Sequence, residues 1–312
     1  MFKPYTKEED SYTCTLSLEV QQKAKRELNE DPKTRLLEVK SLRTRLQKVP
    51  GLLPRTDVKF LLRFLRARKF DQERTFELAK RYYDIRMQSP EIFNDLKPTR
   101  VRHVFADDFI EVLKHRNNEG CRVIICRPDN WDTSRYPLID FLTALYLVIA
   151  KIAEEEDTQV CGVHLISYLE KLTFKHATQI TPGTAKFFVS TVQDVLPMRL
   201  KRFDFVKQPA IWDIVFTACK PFMKSKLLSR IVANGDMFEK LHAVMSPEFL
   251  PTDLGGQLPP HSNRSLLASD TQFEEDNKFG FVKMNVNSGN SVSKSRDADM
   301  QGLGGTFKKL EI

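Results

Sequence analysis

The sequence is short of cysteine, has no long apolar run and lacks the residue patterns of the common catalytic centres. Its five cysteines, Cys14, Cys121, Cys126, Cys161 and Cys219, are scattered and odd in number. That argues against a disulfide framework and for a reducing compartment, with the cytosol as the expected location. The opening residues MFKPYTKEEDSYT are polar and charged, so the apolar centre of a secretory signal is not expected there. The most apolar stretch, 138–153, contains Asp140, Thr143 and Lys151, and it falls short of the roughly 20 apolar residues that cross a bilayer. No G-x-S-x-G, H-E-x-x-H, C-x-x-C or G-x-x-x-x-G-K-[ST] occurs, which removes the hydrolase, zinc-peptidase, dithiol and P-loop templates.

Weaker chemical candidates dissolve on inspection. Cys121 and Cys126 stand five apart in a run of strand formers, so their side chains leave opposite faces and share no metal. They read as free core thiols. The six histidines are dispersed, none at +3 or +4 from another, and His176 reads as a surface or capping residue. The run Glu154–Asp157 reads as a solvated helix terminus. Gly302–Thr306 is glycine-rich but follows no strand, so it is not a phosphate loop. No cofactor and no metal are expected.

What the chain does have is charge: 49 lysines and arginines against 41 carboxylates, a net +8 over 312 residues. That length allows about two domains, and an apolar share of 41% implies that part of the chain lies outside any core. Residues 15–92 carry a helical pattern. Asp31-Pro32 looks like a helix start, followed by Val39, Leu42, Leu46 and Val49 at helical spacing and a stop at Pro50-Gly51. Further helices are expected from Thr56 and from Asp71, the latter with Phe76, Ala79 and Tyr83 on one stripe, and no strand is expected before 105. Phe109–Lys114 and Arg122–Cys126 then flank a polar turn and predict a hairpin. Pro137 opens an apolar helix, Val163–Ser167 reads as a buried strand, Thr181-Pro182 starts another helix, and Arg202–Val206 is a further strand. Strands alternating with helices predict a largely parallel sheet with helices on its faces. The expected divisions are a tail at 1–14, helices at 15–97, an α/β unit at 98–256 and a mostly disordered tail at 257–312, with a docked first segment around Arg264–Leu267.

The positive charge is interleaved with apolar side chains. Lys59, Arg63 and Arg66 share one helical stripe, which reads as a solvated face unless it binds something, while Arg68 projects elsewhere. Arg199, Lys201 and Arg202 gather at a strand start, with Lys207 beyond. A third cluster runs from Lys220 through Lys224 and Lys226 to Arg230. Between the last two lies 211–219, IWDIVFTAC, a helix apolar all round, which fits a buried core helix or a lid touching lipid. Nucleic acid is disfavoured as a partner because its usual motifs are absent. An anionic membrane fits the mixture better, each cation contributing about 1 kcal/mol near such a surface.

At FLLRFLRARKFD (60–71), Arg127–Asp132, Ile180-Thr181-Pro182, Lys220-Pro221-Phe222 and Leu250–Gly256 the sequence resembles the CRAL-TRIO lipid-transfer family, in the branch of alpha-tocopherol transfer protein and its "-like" relatives, and it is also similar to cellular retinaldehyde-binding protein and clavesin. The resemblance spans about residues 15–256. It implies an α/β fold in which an N-terminal helical subdomain precedes an αβα lipid-binding domain with a mainly parallel sheet and a mobile gate helix, here roughly Lys207–Arg230. It implies a phosphatidylinositol bisphosphate headgroup site at Arg68, Arg199, Lys201, Lys226 and Arg230. It implies a lipid pocket formed by Leu142, Leu145, Ile149, Val163, Ser167, Leu172, Ile180, Phe188, Val192, Leu196 and Met198. Gate or membrane contacts would be Phe174, Ile211, Val215 and Ala218. Leu145 and Ile149 stand where tocopherol transfer protein has serines near the ligand hydroxyl, and Tyr168 and Lys207 also depart from the pattern, which points away from tocopherol itself. The implied function is a cytosolic carrier, not an enzyme, that takes a hydrophobic lipid between membranes and docks at endosomal or other phosphoinositide-containing membranes. The alternative is a phosphoinositide-reading recruitment module that moves no ligand. A nucleotide-binding enzyme would need a glycine-rich strand-to-helix turn, which the folded region lacks.

Overall fold

In the computed structural model, which describes residues 12–259 and 280–281, three of the first four helices begin where short polar side chains cap them. Ser17 accepts the Val20 N–H and opens α1 (Leu18–Leu28). The next helix, α2 (Arg35–Gln47), starts later than Asp31-Pro32 predicts. Asp31 instead forms a turn, its carbonyl accepting from Thr34 and Arg35 and its carboxylate from the Lys33 N–H. After β1 (Leu52–Leu53), Asp57 caps α3 (Val58–Ala67) and Asp71 caps α4 (Gln72–Gln88), each satisfying an amide that a helix start leaves without a partner. No strand was expected this early. β1 escapes a pattern search because two residues between Pro50-Gly51 and Pro54 are too few to show a period.

Two short helices, α5 (Pro90–Phe93) and α6 (Arg102–Ala106), lead to the predicted hairpin of β2 (Ile110–Val112) and β3 (Arg122–Cys126). There follow α7 (Leu138–Ile152), α8 (Glu156–Cys161), β4 (Val163–Tyr168), α9 (Phe174–Ala177), α10 (Pro182–Ser190) and β5 (Leu200–Val206). The chain closes with α11 (Ile211–Cys219), α12 (Ser225–Leu228), β6 (Ile231–Ala233), α13 (Glu239–His242) and β7 (Gly280–Phe281), which pairs antiparallel with β1. The main sheet has the order β2-β3-β4-β5-β6, antiparallel only at its first pair. The fold is therefore the α/β arrangement with a helical N-terminal region and a mainly parallel sheet. Of the tail expected from 257 on, only 257–259 and β7 are described; the segment around Arg264–Leu267 and Gly302–Thr306 lie outside the described residues.

Alternation along the strands gives the sheet two different faces. Val163 and Leu165 of β4 join Ile124, Cys126 and Phe203 in a large core that continues into Leu42, Leu46, Leu61, Phe64 and Tyr82 of the N-terminal helices. Ile166 and Tyr168, with Val123, Ile125 and Val206, face a smaller cluster around Leu241, Met245, Leu250 and Leu254. The Leu250–Gly256 motif is held there for structural reasons. Arg127 bonds both Glu111 (2.8 Å) and Asp253 (3.0 Å), and a Cβ on Gly256 would meet the Leu250 carbonyl oxygen at 2.0 Å.

One residue from each of two surfaces expected to be solvated, Arg66 and Glu156, is buried against the other, while Lys59 stays exposed. Arg66 is 0% exposed. It bonds both oxygens of Glu30 at 2.9 Å, Glu156 at 3.0 Å and the Gln159 side-chain oxygen at 2.7 Å. Glu156, 7% exposed, also accepts from the hydroxyls of Tyr12 and Thr15 and from the Thr15 N–H. Neighbouring Glu155 pairs with Arg116 and Arg122. Arg63 is buried too, over the Phe60 ring. The carboxylate run and the basic stripe were read as solvated because each lacks a partner nearby in sequence; the partner lies 90 residues away.

Candidate functional site

The first face of the sheet carries an apolar cavity of about 180 Å³ at the carboxyl ends of the parallel strands, the position where open α/β sheets place ligands. Register explains its floor. Cys126 pairs with Ser167 and Ser167 with Phe205, so one row of side chains from three strands faces the same way, with Leu165 and Phe203 in the row below. Leu142 and Leu145 of α7, Ala185 and Phe188 of α10, Trp131 and His176 form the walls. Among the described residues, no Asp, Glu, Lys or Arg lines it. His176 does cap α9: its Nδ1 accepts from the Thr173 N–H at 3.0 Å and its Nε2–H donates to the Trp131 carbonyl at 2.8 Å, a pattern that sets the tautomer. Burial pushes the Cys126 thiol up to about 12 and the Cys219 thiol up to about 11, so neither is a thiolate.

Helix α11 covers the cavity. Trp212, Val215, Phe216 and Cys219 turn toward it at helical spacing, and an aromatic ladder runs from Phe203 to Phe205 (4.2 Å), Trp212 (5.3 Å) and Phe216 (4.7 Å). Yet no residue of α11 is fully buried. Of the two readings its composition allows, buried core helix or lid, the structure gives the cover. Its outer side exposes Ile214 (59%), and Phe174 at the start of the adjacent α9 is 68% exposed.

The next cavity is of opposite character. It is an open cleft of about 1000 Å³ lined by ten arginines and lysines against four carboxylates. Arg68, at the C-terminus of α3, is followed by Lys69 and Phe70, both in the left-handed conformation. Arg199 and Lys201 arrive at the start of β5, where a register shift opposite Val163 and His164 leaves Lys201 unpaired in the ladder; such a bulge re-aims a side chain. Gly162 permits their approach, since a Cβ there would meet the Arg199 carbonyl at 2.5 Å and the Lys201 side chain at 2.6 Å. Glu27 compensates these two, at 3.0 and 3.4 Å. Among the described residues, Arg68 donates only to the carbonyls of Ala67 and Gln193. The side chains of Lys226 and Arg230 have no hydrogen-bond or ion-pair partner among the described residues. Burial and the nearby Arg230 lower the Lys226 pKa, and burial with Arg199 lowers that of Arg230. Burial and Arg74 do the same to Arg68.

A π-helical turn, Thr191–Val195, separates the two cavities. Val192 lines the cleft and also a void of about 30 Å³ bordered by Ile149, Leu196, Leu142, Leu145 and Phe188. Beside it, Gln193 donates to the Phe222 carbonyl (2.9 Å) and accepts the Lys224 N–H (3.1 Å), clasping the chain just after α11, and Lys224 bonds Asp194 at 2.5 Å.

All five residues expected at a headgroup site therefore line one cleft. Of the expected pocket residues, Leu142, Leu145, Ser167, Leu172, Ile180 and Phe188 line the apolar cavity, and Ile149, Val192 and Leu196 line the void beside it. Two go elsewhere. Val163 is packed in the core at the amino end of β4, two rows below Ser167, and Met198 lines the basic cleft. Among the expected gate contacts Val215 faces inward, Ile211 and Ala218 are half-buried off the cavity wall, and Phe174 is exposed; Ile214 is the outward apolar residue. The CRAL/TRIO domain matches residues 106–256 and the Pinta-like UBA domain residues 31–102. The alpha-tocopherol transfer protein-like protein of Homo sapiens is 36% identical over 278 residues, covering 88% of this chain and 81% of that one. Clavesin-2 of Mus musculus is 34% identical over 292 residues, 91% and 87% of the two chains. The chain belongs to the CRAL/TRIO family. In this CRAL/TRIO protein the cavity residues missed from sequence include six aromatic ones, Trp131, Phe141, Phe203, Phe205, Trp212 and Phe216. For two of them the signal was present, because the alternation in RFDFV puts Phe203 and Phe205 on one face.

Proposed function

We propose that this protein is a carrier that holds one neutral hydrophobic lipid in the apolar cavity and exchanges it at membranes, docking from the cytoplasm through anionic headgroups such as phosphatidylinositol bisphosphate at the basic cleft. The observation that carries this reading is a cavity without a charged wall residue under a helix that buries none of its own residues. A helix of the permanent core would bury a stripe; one that must leave and return would not. Burial of ligand surface, at roughly 25 cal/mol per Å², supplies the affinity. The exposed Ile214 and Phe174 offer apolar contact to a bilayer, while the unpaired Lys226 and Arg230 favour an anionic one. Relatives named for tocopherol transfer support a carrier, while Leu145 in the cavity wall and Ile149 beside it favour a ligand other than tocopherol.

The cavity is slightly larger than the roughly 150 Å³ that admits benzene and smaller than the roughly 300 Å³ and upward of most ligand sites. A whole lipid therefore needs more room, and rotation of Phe188, which lines both the cavity and the 30 Å³ void, is a route to it. The test is incubation of the purified protein with mixed-lipid vesicles, re-isolation and native mass spectrometry. One bound lipid per chain is expected. Vesicle binding without uptake would instead identify a recruitment module.

A further inference from the structure

The four carboxylates that line the basic cleft do different things. Glu73 pairs with Arg45, which is not part of the cleft wall, and Glu77 is exposed with no ion pair among the described residues. Asp194 takes Lys224 and Arg81. Glu27 instead bonds two of the cations expected to meet a headgroup, Arg199 at 3.0 Å and Lys201 at 3.4 Å. It is also fixed in place. It lies in the last turn of α1 between Ala24 and Leu28, which pack against Val160 and Cys161 of α8, and Arg199 is tied to α8 as well, donating to the Val160 carbonyl. Although burial works against it, the hydrogen bond from Arg199 and the charge of Lys201 hold the Glu27 carboxyl below the usual carboxylate range. The cleft thus contains an anion of its own, seated on two cations, while Lys226 and Arg230 have none among the described residues.

We propose that Glu27 is a built-in competitor that sets which membrane lipids the cleft accepts: a headgroup bearing a phosphomonoester takes Arg199 and Lys201 from it, and a singly charged headgroup does not. The inference rests on the docking reading above and adds to it the residue that decides selectivity. A carboxylate held beside its partners by the fold acts at a high effective concentration, so an incoming group must bind these cations more strongly than a carboxylate does. The phosphodiester or carboxylate of a singly charged lipid is no stronger. A phosphomonoester carries about 1.5 to 2 charges and three strong acceptor oxygens at neutral pH. Arg230 lies near enough to Arg199 to feel its charge, so one such group can meet paired and unpaired cations together. Glu27 is thus a specificity-determining residue and not an anchor, and its removal should loosen the choice of lipid without abolishing binding.

The test is flotation of the full chain with phosphatidylcholine vesicles that carry either phosphatidylserine or phosphatidylinositol bisphosphate at equal total charge. The unmodified protein should bind the bisphosphate vesicles about tenfold better. Glu27→Gln should gain about tenfold on the phosphatidylserine vesicles and no more than about threefold on the others, so that the preference shrinks. Glu27→Asp, which keeps the charge but draws it back from the two cations, should shift the preference in the same direction by about threefold, and it decides the matter if circular dichroism shows that Glu27→Gln does not fold. Glu77→Gln deletes a charge of the same sign from the same cleft without freeing a paired cation, and it should gain equally on both vesicles. Equal binding of the two vesicles by the unmodified protein, an unchanged preference in the folded Glu27 variants, or the same loss of preference in Glu77→Gln overturns the inference and leaves docking standing. Failure of the unmodified protein to bind either charged vesicle better than phosphatidylcholine alone overturns both.

Discussion

Two groups of buried and half-buried cations sit on opposite terms with their surroundings. Around Arg66 every charge is answered: Glu30 and Glu156 face the guanidinium, and Tyr12, Thr15 and Gln159 complete the hydrogen bonds. In the cleft, Lys226 and Arg230 are answered by nothing among the described residues, and burial together with their neighbours lowers their pKa. Both groups read alike in sequence, as Lys and Arg among apolar residues. The first holds the N-terminal helices to α8, and the second keeps a surface in want of an anion. Cations that the fold needs are neutralised by the fold, and those left uncompensated among the described residues are the ones the proposed docking would use.

The same kind of substitution should therefore have opposite outcomes in the two places. Arg66→Met leaves buried Glu30 with Arg35 alone and buried Glu156 with no cation among the described residues, and should cost about 3–5 kcal/mol of stability in denaturant unfolding; a loss near zero would remove the distinction. A second, smaller effect appears in acid. Although burial works against it, hydrogen bonds from Thr15 and Tyr12 and the charge of Arg66 bring the Glu156 pKa down to about 2 from its usual 4.5. A lowered folded-state pKa gives stability that is complete above the usual value and is lost as pH falls toward the folded one. Glu156→Gln should flatten the stability profile between about 4.5 and about 2 relative to the unmodified protein, and curves that stay parallel there would contradict this. The smallest change in stability belongs to the cleft. Lys226→Gln should alter unfolding by no more than about 0.5 kcal/mol, or raise stability by relieving repulsion. It should nevertheless weaken binding to vesicles containing phosphatidylinositol bisphosphate by about 1 kcal/mol, with reduced sensitivity to salt. A large loss of stability with vesicle binding intact would reverse the assignment of the two regions.

How much of this was legible beforehand depended on distance along the chain. The helix starts near Thr56 and Asp71, the hairpin around the turn before β3, and the apolar β4 follow from neighbours within a few residues, and sequence reading finds them. β6 is three residues long and passes unnoticed. β5 begins two residues earlier than its alternation indicates, because the bulge at Lys201 shifts the phase between Leu200 and Phe203. The burial of Glu156 could not be read locally at all. The convergence of Arg68, Arg199 and Lys226 came from family resemblance rather than from spacing, since no pattern within the chain joins segments that far apart. Ser167 was placed in the pocket from the resemblance, and its seat on the floor follows from the register of β4 against β3 and β5.

The π-helical turn at Thr191–Val195 has a thermodynamic consequence. Val192 is wall to the cleft on one side and to the void beside the apolar cavity on the other, and the next residue, Gln193, holds the chain just after the covering helix. A ligand that displaces this turn from either side changes the free energy of filling the other. By linkage the change is the same in both directions: whatever factor an anion in the cleft imposes on lipid affinity, the lipid must impose on the anion.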